Sequence, residues 1–293
     1  MDRLLLHPQT KKQTDYFLRK PVSPLLILGE RGSGKRSLAF SISAGILGLK
    51  SNQRLASYPY YFHAGKPEGK QDISIDTVRE IIRFMRLKTP GGSAIRRVVL
   101  IEDANYLSLE AQNALLKVLE EPNDDTLFVL TAPYELSLLP TIVSRCRHIW
   151  AHPVSMTQAG EFYGGKFGPK KLESAWRLSQ GSPALLDALL TEQDSHPLKQ
   201  TIEQAKSFLG QSRYQRLLTV DKISKSKDEL RLFFEALAKI LAALHRGAVD
   251  KKRPAQAANL AKDRRLVQKS LEALDKNTNV RLICSNLVLN LKS

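Results

Sequence analysis

Four consecutive apolar residues, Leu25-Leu26-Ile27-Leu28, run straight into Gly29-Glu-Arg-Gly-Ser-Gly34-Lys35 and then into a helical stretch. No other feature constrains the fold so tightly. Glycines let successive backbone N–H groups turn to one side, a lysine neutralises the β and γ phosphates of a nucleotide, and the start of a helix adds a favourable dipole. That chemistry needs a strand, a tight loop and a helix in this order. Gly29, Gly32, Gly34 and Lys35 are the candidate phosphate-binding residues. The next position departs from the pattern: a Ser or Thr hydroxyl should ligate magnesium there, and this chain has Arg36, which cannot be a metal ligand. Ser37 lies one residue on, rotated about 100° around the helix, so it does not simply take over. It remains a candidate at a degenerate nucleotide site.

Downstream, strand and helix signals alternate to about residue 150, the pattern of a parallel α/β sheet. Short apolar runs at 24–28, 60–62, 98–101, 127–131 and 147–151 read as strands. Helical stretches are expected at 36–48, 76–87 and 109–119. In the second, Val78, Ile81, Ile82 and Met85 share one side, with Arg79, Arg83 and Arg86 on the outer one. After Pro153 strand signals stop. Residues 156–191 read as two or three short helices broken at Gly164-Gly165 and at Gly181-Ser182-Pro183. From about Pro197 long helical patterns dominate, including 229–245, 254–274 and 280–291. Three parts are expected: a parallel-sheet P-loop core over 1–153, a small helical lid over 154–194 and an all-α C-terminal domain over 195–293. The nearest thing to a basic linker is 222–227.

Composition narrows the function classes. With 293 residues, 42% hydrophobic and 25% charged, the chain can bury sizeable cores and is neither disordered throughout nor collagen-like. No stretch approaches the ~18 to 20 uninterrupted apolar residues of a membrane span, and Leu4-Leu5-Leu6 is too short for a signal peptide. The expectation is a cytoplasmic protein without a membrane partner. Cys146 and Cys284 lack neighbours at metal-ligand spacing, which argues against a disulfide framework and against zinc; no metal ligand is assigned. Lys and Arg number 45 against 29 Asp and Glu, a net charge of +16. The excess is 6 in residues 1–150 (21 against 15) and 10 in residues 151–293 (24 against 14). A polyanion partner is consistent with this balance. Lys170-Lys171, Lys251-Lys-Arg253 and Arg264-Arg265 could meet phosphates or could be solvated helix faces.

Arg97-Val-Val-Leu-Ile101-Glu102-Asp103 is an apolar strand ending in two carboxylates, where such proteins hold magnesium and polarise the attacking water. The usual order is Asp then Glu. Here it is reversed, so each side chain has the wrong length for that task, and the alternative is a pair of acids capping the next turn. Thr131, at the end of the next strand, stands where a polar side chain would sense the γ-phosphate.

The stretch from Ile101 through Asn113 and Lys117 to Pro122, followed by Leu139 to Ser144-Arg145-Cys146, resembles the AAA+ subunits of the sliding-clamp loader. Among these it is most similar to the bacterial DNA polymerase III delta-prime subunits. Asp72 to Ile82 and Asn277-Thr-Asn-Val-Arg281 resemble the same family. The resemblance covers nearly the whole chain, tightly over 98–146 and loosely over 195–275. It implies an AAA+ core, a lid and a collar in a pentameric motor that opens a ring-shaped clamp and closes it around primer-template DNA. The implied partners are the other loader subunits (gamma/tau and delta), the sliding clamp and DNA. Arg145 falls in the family's Ser-Arg-Cys triplet, whose arginine reaches across the subunit boundary to a neighbour's γ-phosphate; a planar, permanently charged guanidinium suits that task.

Departures from the family pattern point away from turnover in this chain. Arg36 replaces the magnesium ligand, Glu102 and Asp103 are reversed, and Ala184 stands where catalytic members place a lid arginine after Gly-Ser-x. Residues 50–75 also lack the four-cysteine zinc module of many bacterial relatives. The expectation is a stator-like loader subunit with little or no ATPase of its own, in which ATP or ADP could sit without turnover. An ATP-hydrolysing motor subunit of the gamma/tau kind, and a free-standing DNA-binding AAA+ protein, remain open alternatives.

Overall fold

Three buried, mostly apolar runs build the centre of the first unit. In a computed structural model that describes residues 4–49, 52–67, 69–92, 94–191, 197–276 and 278–292, Leu25–Leu28 (β1), Arg97–Ile101 (β3) and Thr126–Ala132 (β4) are buried at every position. Strands covered on both faces read this way. Tyr61–Ala64 (β2) and Arg147–Trp150 (β5) form the edges of a five-stranded parallel sheet ordered β2-β3-β4-β1-β5. Asn277 and the expected boundary between 194 and 195 lie outside the described residues.

Side chains alternate across a strand, so β1 feeds two cores. Leu25 and Ile27 pack with Phe17, Leu38 and Ile42 from helices Pro8–Arg19 (α1) and Lys35–Ile46 (α2). Leu26 and Leu28 face the opposite layer with Val78, Ile81, Leu115 and Ile142, from Ile75–Met85 (α3), Leu109–Glu120 (α4) and Pro140–Val143 (α5). The alternation of strand and helix was readable; α1 was not, because it buries only Thr10, Thr14 and Phe17. Hydrogen bonds rather than an apolar stripe fix it. Thr10 Oγ1 donates to the Trp150 carbonyl at 2.6 Å and accepts from the His152 N–H at 3.0 Å, while Gln13 Oε1 accepts from the Trp150 N–H at 3.0 Å. The helix thereby blunts the open edge of β5.

The chain divides into two compact units, Met1–Gln158 and Ala159–Ser293. The second contains only helices among the described residues after Met156–Tyr163 (α6): Pro169–Ser179 (α7), Pro183–Thr191 (α8), Pro197–Leu209 (α9), Arg213–Ile223 (α10), Lys227–Asp250 (α11), Pro254–Asp275 (α12) and Val280–Asn290 (α13). Its core gathers Phe208, Phe233, Phe234, Leu237, Val267 and Leu287. Residues 222–227 make no linker: α10 runs to Ile223 and Ser226 caps α11, accepting from the Glu229 N–H at 3.3 Å. A break of three residues joins two helices here. No helix among the described residues is long and apolar enough to cross a membrane.

Arg97 opens β3 yet is only 1% exposed. Its Nη1 donates to the Met85 carbonyl at 2.7 Å and its Nη2 to the Leu87 carbonyl, satisfying acceptors at the end of α3 that have no partner within the helix. Asp125 stands 4.0 Å from Nη1. Arg97→Ala is expected to lower unfolding free energy by about 3 kcal/mol through orphaned buried carbonyls and lost packing, measured by urea denaturation. Arg79→Ala, which removes an exposed pair with Asp76, should leave the midpoint where it is.

Candidate nucleotide site and an exposed arginine

Parallel strands bring their carboxyl ends to one side of a sheet, where ligands of such folds sit. The loop after β1, the acids after β3 and Thr131 of β4 meet there. Gly29 is needed for close approach: a Cβ at that position would lie 2.6 Å from Ser33 Oγ and 3.1 Å from the Ala151 carbonyl oxygen. Gly32 and Gly34 adopt φ of 87° and 85°, the left-handed region that turns successive N–H groups inward. Gly34 then starts α2, whose first residue is Lys35. The loop thus has the tight, left-handed turn that leads directly into a helix.

Its charges are already paired. Lys35 Nζ lies 3.6 Å from Asp103 Oδ1. Burial pushes the Lys35 ammonium pKa below its usual value, more than nearby Asp103 restores, and Arg31 adds to the lowering. Arg36 Nε stands 3.3 Å from Glu102 Oε1, and His63 Nε2 stands 3.0 Å from Glu102 Oε2. Asp103 has φ 48° and ψ 56°, and its backbone N–H donates to Thr131 Oγ1 at 2.8 Å. Thr131 thus holds the turn that carries the acids. Ser37 occupies the first turn of α2, half-buried.

His63, Phe40 and Tyr61 were not foreseen at this site. Phe40 lies under the Arg36 guanidinium at 5.4 Å and meets the His63 ring edge-on at 5.5 Å; Tyr61 stacks on His63 at 6.3 Å. The β2–β3 register, with His63 opposite Leu100 and Ala64 opposite Ile101, brings His63 to Glu102. No sequence spacing announces a contact across 39 positions.

Arg145 lies elsewhere on the first unit, just after α5, with its side chain 37% exposed. Nη1 donates to the Thr141 carbonyl at 2.8 Å and Nη2 to Glu120 Oε1 at 2.6 Å. Glu120 ends α4 within the stretch that carried the resemblance; its pairing with Arg145 was not read from it. Ala184 is in the first turn of α8 in the second unit.

Fold and site together resemble those of the AAA+ class, and the chain is similar to subunits of the clamp-loader family. More particularly, residues 15–155 match the family model described as DNA polymerase III, delta subunit, and the chain is similar to DNA polymerase III delta-prime subunits. The protein so named from Pseudomonas aeruginosa is 34% identical over 203 residues, 64% of this chain and 61% of that protein. Its namesake from Escherichia coli K12 is 31% identical over 199 residues, 63% of this chain and 59% of that protein. The matches thus span about three fifths of these relatives' lengths. A DNA polymerase III gamma subunit-related protein from Thermotoga maritima shares the fold, with a TM-score of 0.55, 20% identity and 96% and 97% of the two chains covered.

The cysteine beside Arg145 is chemically quiet. Cys146 Sγ donates to the Ile142 carbonyl at 3.2 Å, and burial pushes its thiol pKa up to about 12; Cys284, buried in the second unit, is pushed to about 11. At about pH 8 the thiolate fraction of Cys146 falls on the order of a thousandfold below that of a free thiol. Iodoacetamide is therefore expected to label neither cysteine in the native chain and both after denaturation, read by mass spectrometry. Rapid native labelling of Cys146 would contradict the burial.

Proposed function

We propose that this chain is a stator-like subunit of the clamp loader of the DNA polymerase III holoenzyme, with little or no ATPase of its own. Arg145 acts in trans on the nucleotide site of a neighbouring loader subunit. The partners are the gamma/tau and delta subunits, the sliding clamp and primer-template DNA; residues 154–194 serve as lid and 195–293 as collar in a cytoplasmic hetero-oligomer. The degenerate site retains ADP or ATP through Gly29, Gly32, Gly34, Lys35, Ser37 and Thr131 without turning it over.

One contrast carries this reading. The chain's own catalytic acids are tied to protein cations, whereas Arg145 is held only by exposed contacts. An exposed Arg–carboxylate pair is weak because water screens it and both side chains lose freedom in forming it. The guanidinium can therefore exchange Glu120 for a more highly charged phosphate at little cost. Glu102, with one oxygen on Arg36 and the other on His63, is poorly placed to accept a proton from water.

The test is ATP hydrolysis by the reconstituted loader with clamp and primed DNA, comparing wild type, Arg145→Ala and Lys35→Ala of this chain. Arg145→Ala is expected to lower turnover at the neighbour's site by about 10²-fold or more, as for arginines supplied in trans, with Lys35→Ala leaving turnover within about twofold. The opposite pattern would assign the chemistry to this chain's own site.

A further inference from the structure

A magnesium ion belongs to nucleotide sites of this class, and the residues present do not fit it. In phosphate-loop sites the dication is held by the hydroxyl of the residue after the lysine, by a carboxylate beyond the next strand, and by phosphates and water. Arg36 replaces the hydroxyl residue, Glu102 Oε1 and Oε2 already face Arg36 and His63, and Asp103 faces Lys35. Among the described residues no group of three or more His, Cys, Asp and Glu side chains is arranged to hold a metal ion. The phosphate half of the site does fit its ligand. The loop keeps the left-handed glycines that aim N–H groups inward, and Lys35 is a buried ammonium whose desolvation outweighs the help of Asp103, a charge that an arriving anion would stabilise further.

Arg36 is also held in place. Its side chain is 62% exposed, yet it extends over Phe40 one turn along α2 and ends at Glu102, while His63 is packed between Phe40 and Tyr61 and pins the far oxygen of the same carboxylate. A fixed guanidinium beside the first acid after β3 puts positive charge where the dication would lie.

We infer that Arg36 takes the place of magnesium at this site, with Glu102 as its counter-ion and His63 as the second partner of Glu102, so that the phosphate loop binds ADP or ATP without divalent metal. The inference rests on the reading that the loop retains nucleotide; it is independent of Arg145. A free nucleotide carries more negative charge than its magnesium complex, and a site furnished with Lys35 and Arg36 favours the free form.

Calorimetric titration of the full chain with ADP and with ATP, in excess magnesium and in excess EDTA, tests it. For wild type the two dissociation constants should agree within about threefold, or EDTA should give the tighter one. Arg36→Ser restores a hydroxyl and frees Glu102 Oε1, so it should weaken binding in EDTA and make binding about tenfold or more tighter in magnesium than in EDTA. Glu102→Gln, which releases Arg36 toward the phosphates, should keep binding metal-independent. Wild-type binding that is tenfold tighter with magnesium would overturn the inference and leave nucleotide retention standing. An absence of heat and of competition with a fluorescent ADP analogue in both conditions would overturn both, and neither outcome touches the trans action of Arg145.

Discussion

Each strand that carries a site residue is tied to its neighbour just beyond its carboxyl end. Gly29 N–H donates to the Ala132 carbonyl at 3.2 Å, Glu102 N–H to the Ala64 carbonyl at 2.7 Å, and Asp103 N–H to Thr131 Oγ1 at 2.8 Å. These bonds extend the ladder past the sheet into the loops, where most folds allow freedom. The register of β1 with β4, Leu28 opposite Ala132, and of β3 with β4, Ile101 opposite Leu130, sets the level at which loop, acids and threonine meet. The left-handed turn at Asp103 depends on the same arrangement: a non-glycine residue at φ 48° is costly, and Thr131 accepts the N–H that the turn exposes.

The two units solve one further problem in the same way. Helix ends leave carbonyls without partners inside the helix, and in both units a buried arginine supplies the donors. Arg97 serves the end of α3. In the helical unit Arg216, on α10, donates from Nε to the Phe208 carbonyl at 3.1 Å and from Nη2 to the Leu209 carbonyl at 2.6 Å, closing the end of α9. Its guanidinium lies 5.5 Å from the Phe208 ring, and burial lowers its pKa. Guanidinium suits this use because its planar fork of donors serves several carbonyls at once. The charge of these two arginines is thus structural, whereas the basic pairs flagged in the sequence, such as Lys170-Lys171 and Arg264-Arg265, are exposed.

Strands and loop were legible because their signals are local. Four buried apolar residues, a glycine pattern and a lysine sit side by side at 25–35, and the structure moves the ends by only a residue or two: the strand expected at 98–101 begins at Arg97, and the helix expected at 36–48 is Lys35–Ile46. What escaped depends on partners distant in the chain. The polar helix α1 takes its place from Thr10 and Gln13 meeting Trp150. Arg97 looks like the polar flank of a strand until α3 is packed beside it. His63 gains its contact with Glu102 only through a parallel register that no motif encodes. Glu120 and Arg145 were both within the stretch that carried the resemblance, but their pairing follows from how α4 and α5 lie together.

Arginine and magnesium are not equivalent cations, and the difference bears on what a site can do. A bound dication lowers the pKa of its own water, moves with the phosphates and leaves with the product. A guanidinium is tethered, stays fully charged and activates no water. Exchanging one for the other keeps electrostatic attraction for an anion and gives up the ability to act on a nucleophile. Under the inferred exchange, the acid that would direct water is engaged by Arg36 and by His63. Binding and turnover, joined in an intact nucleotide motor, come apart in such a site. On the proposed reading, the chain's contribution to chemistry comes instead from Arg145, partly exposed at its surface and held by Glu120 and the Thr141 carbonyl.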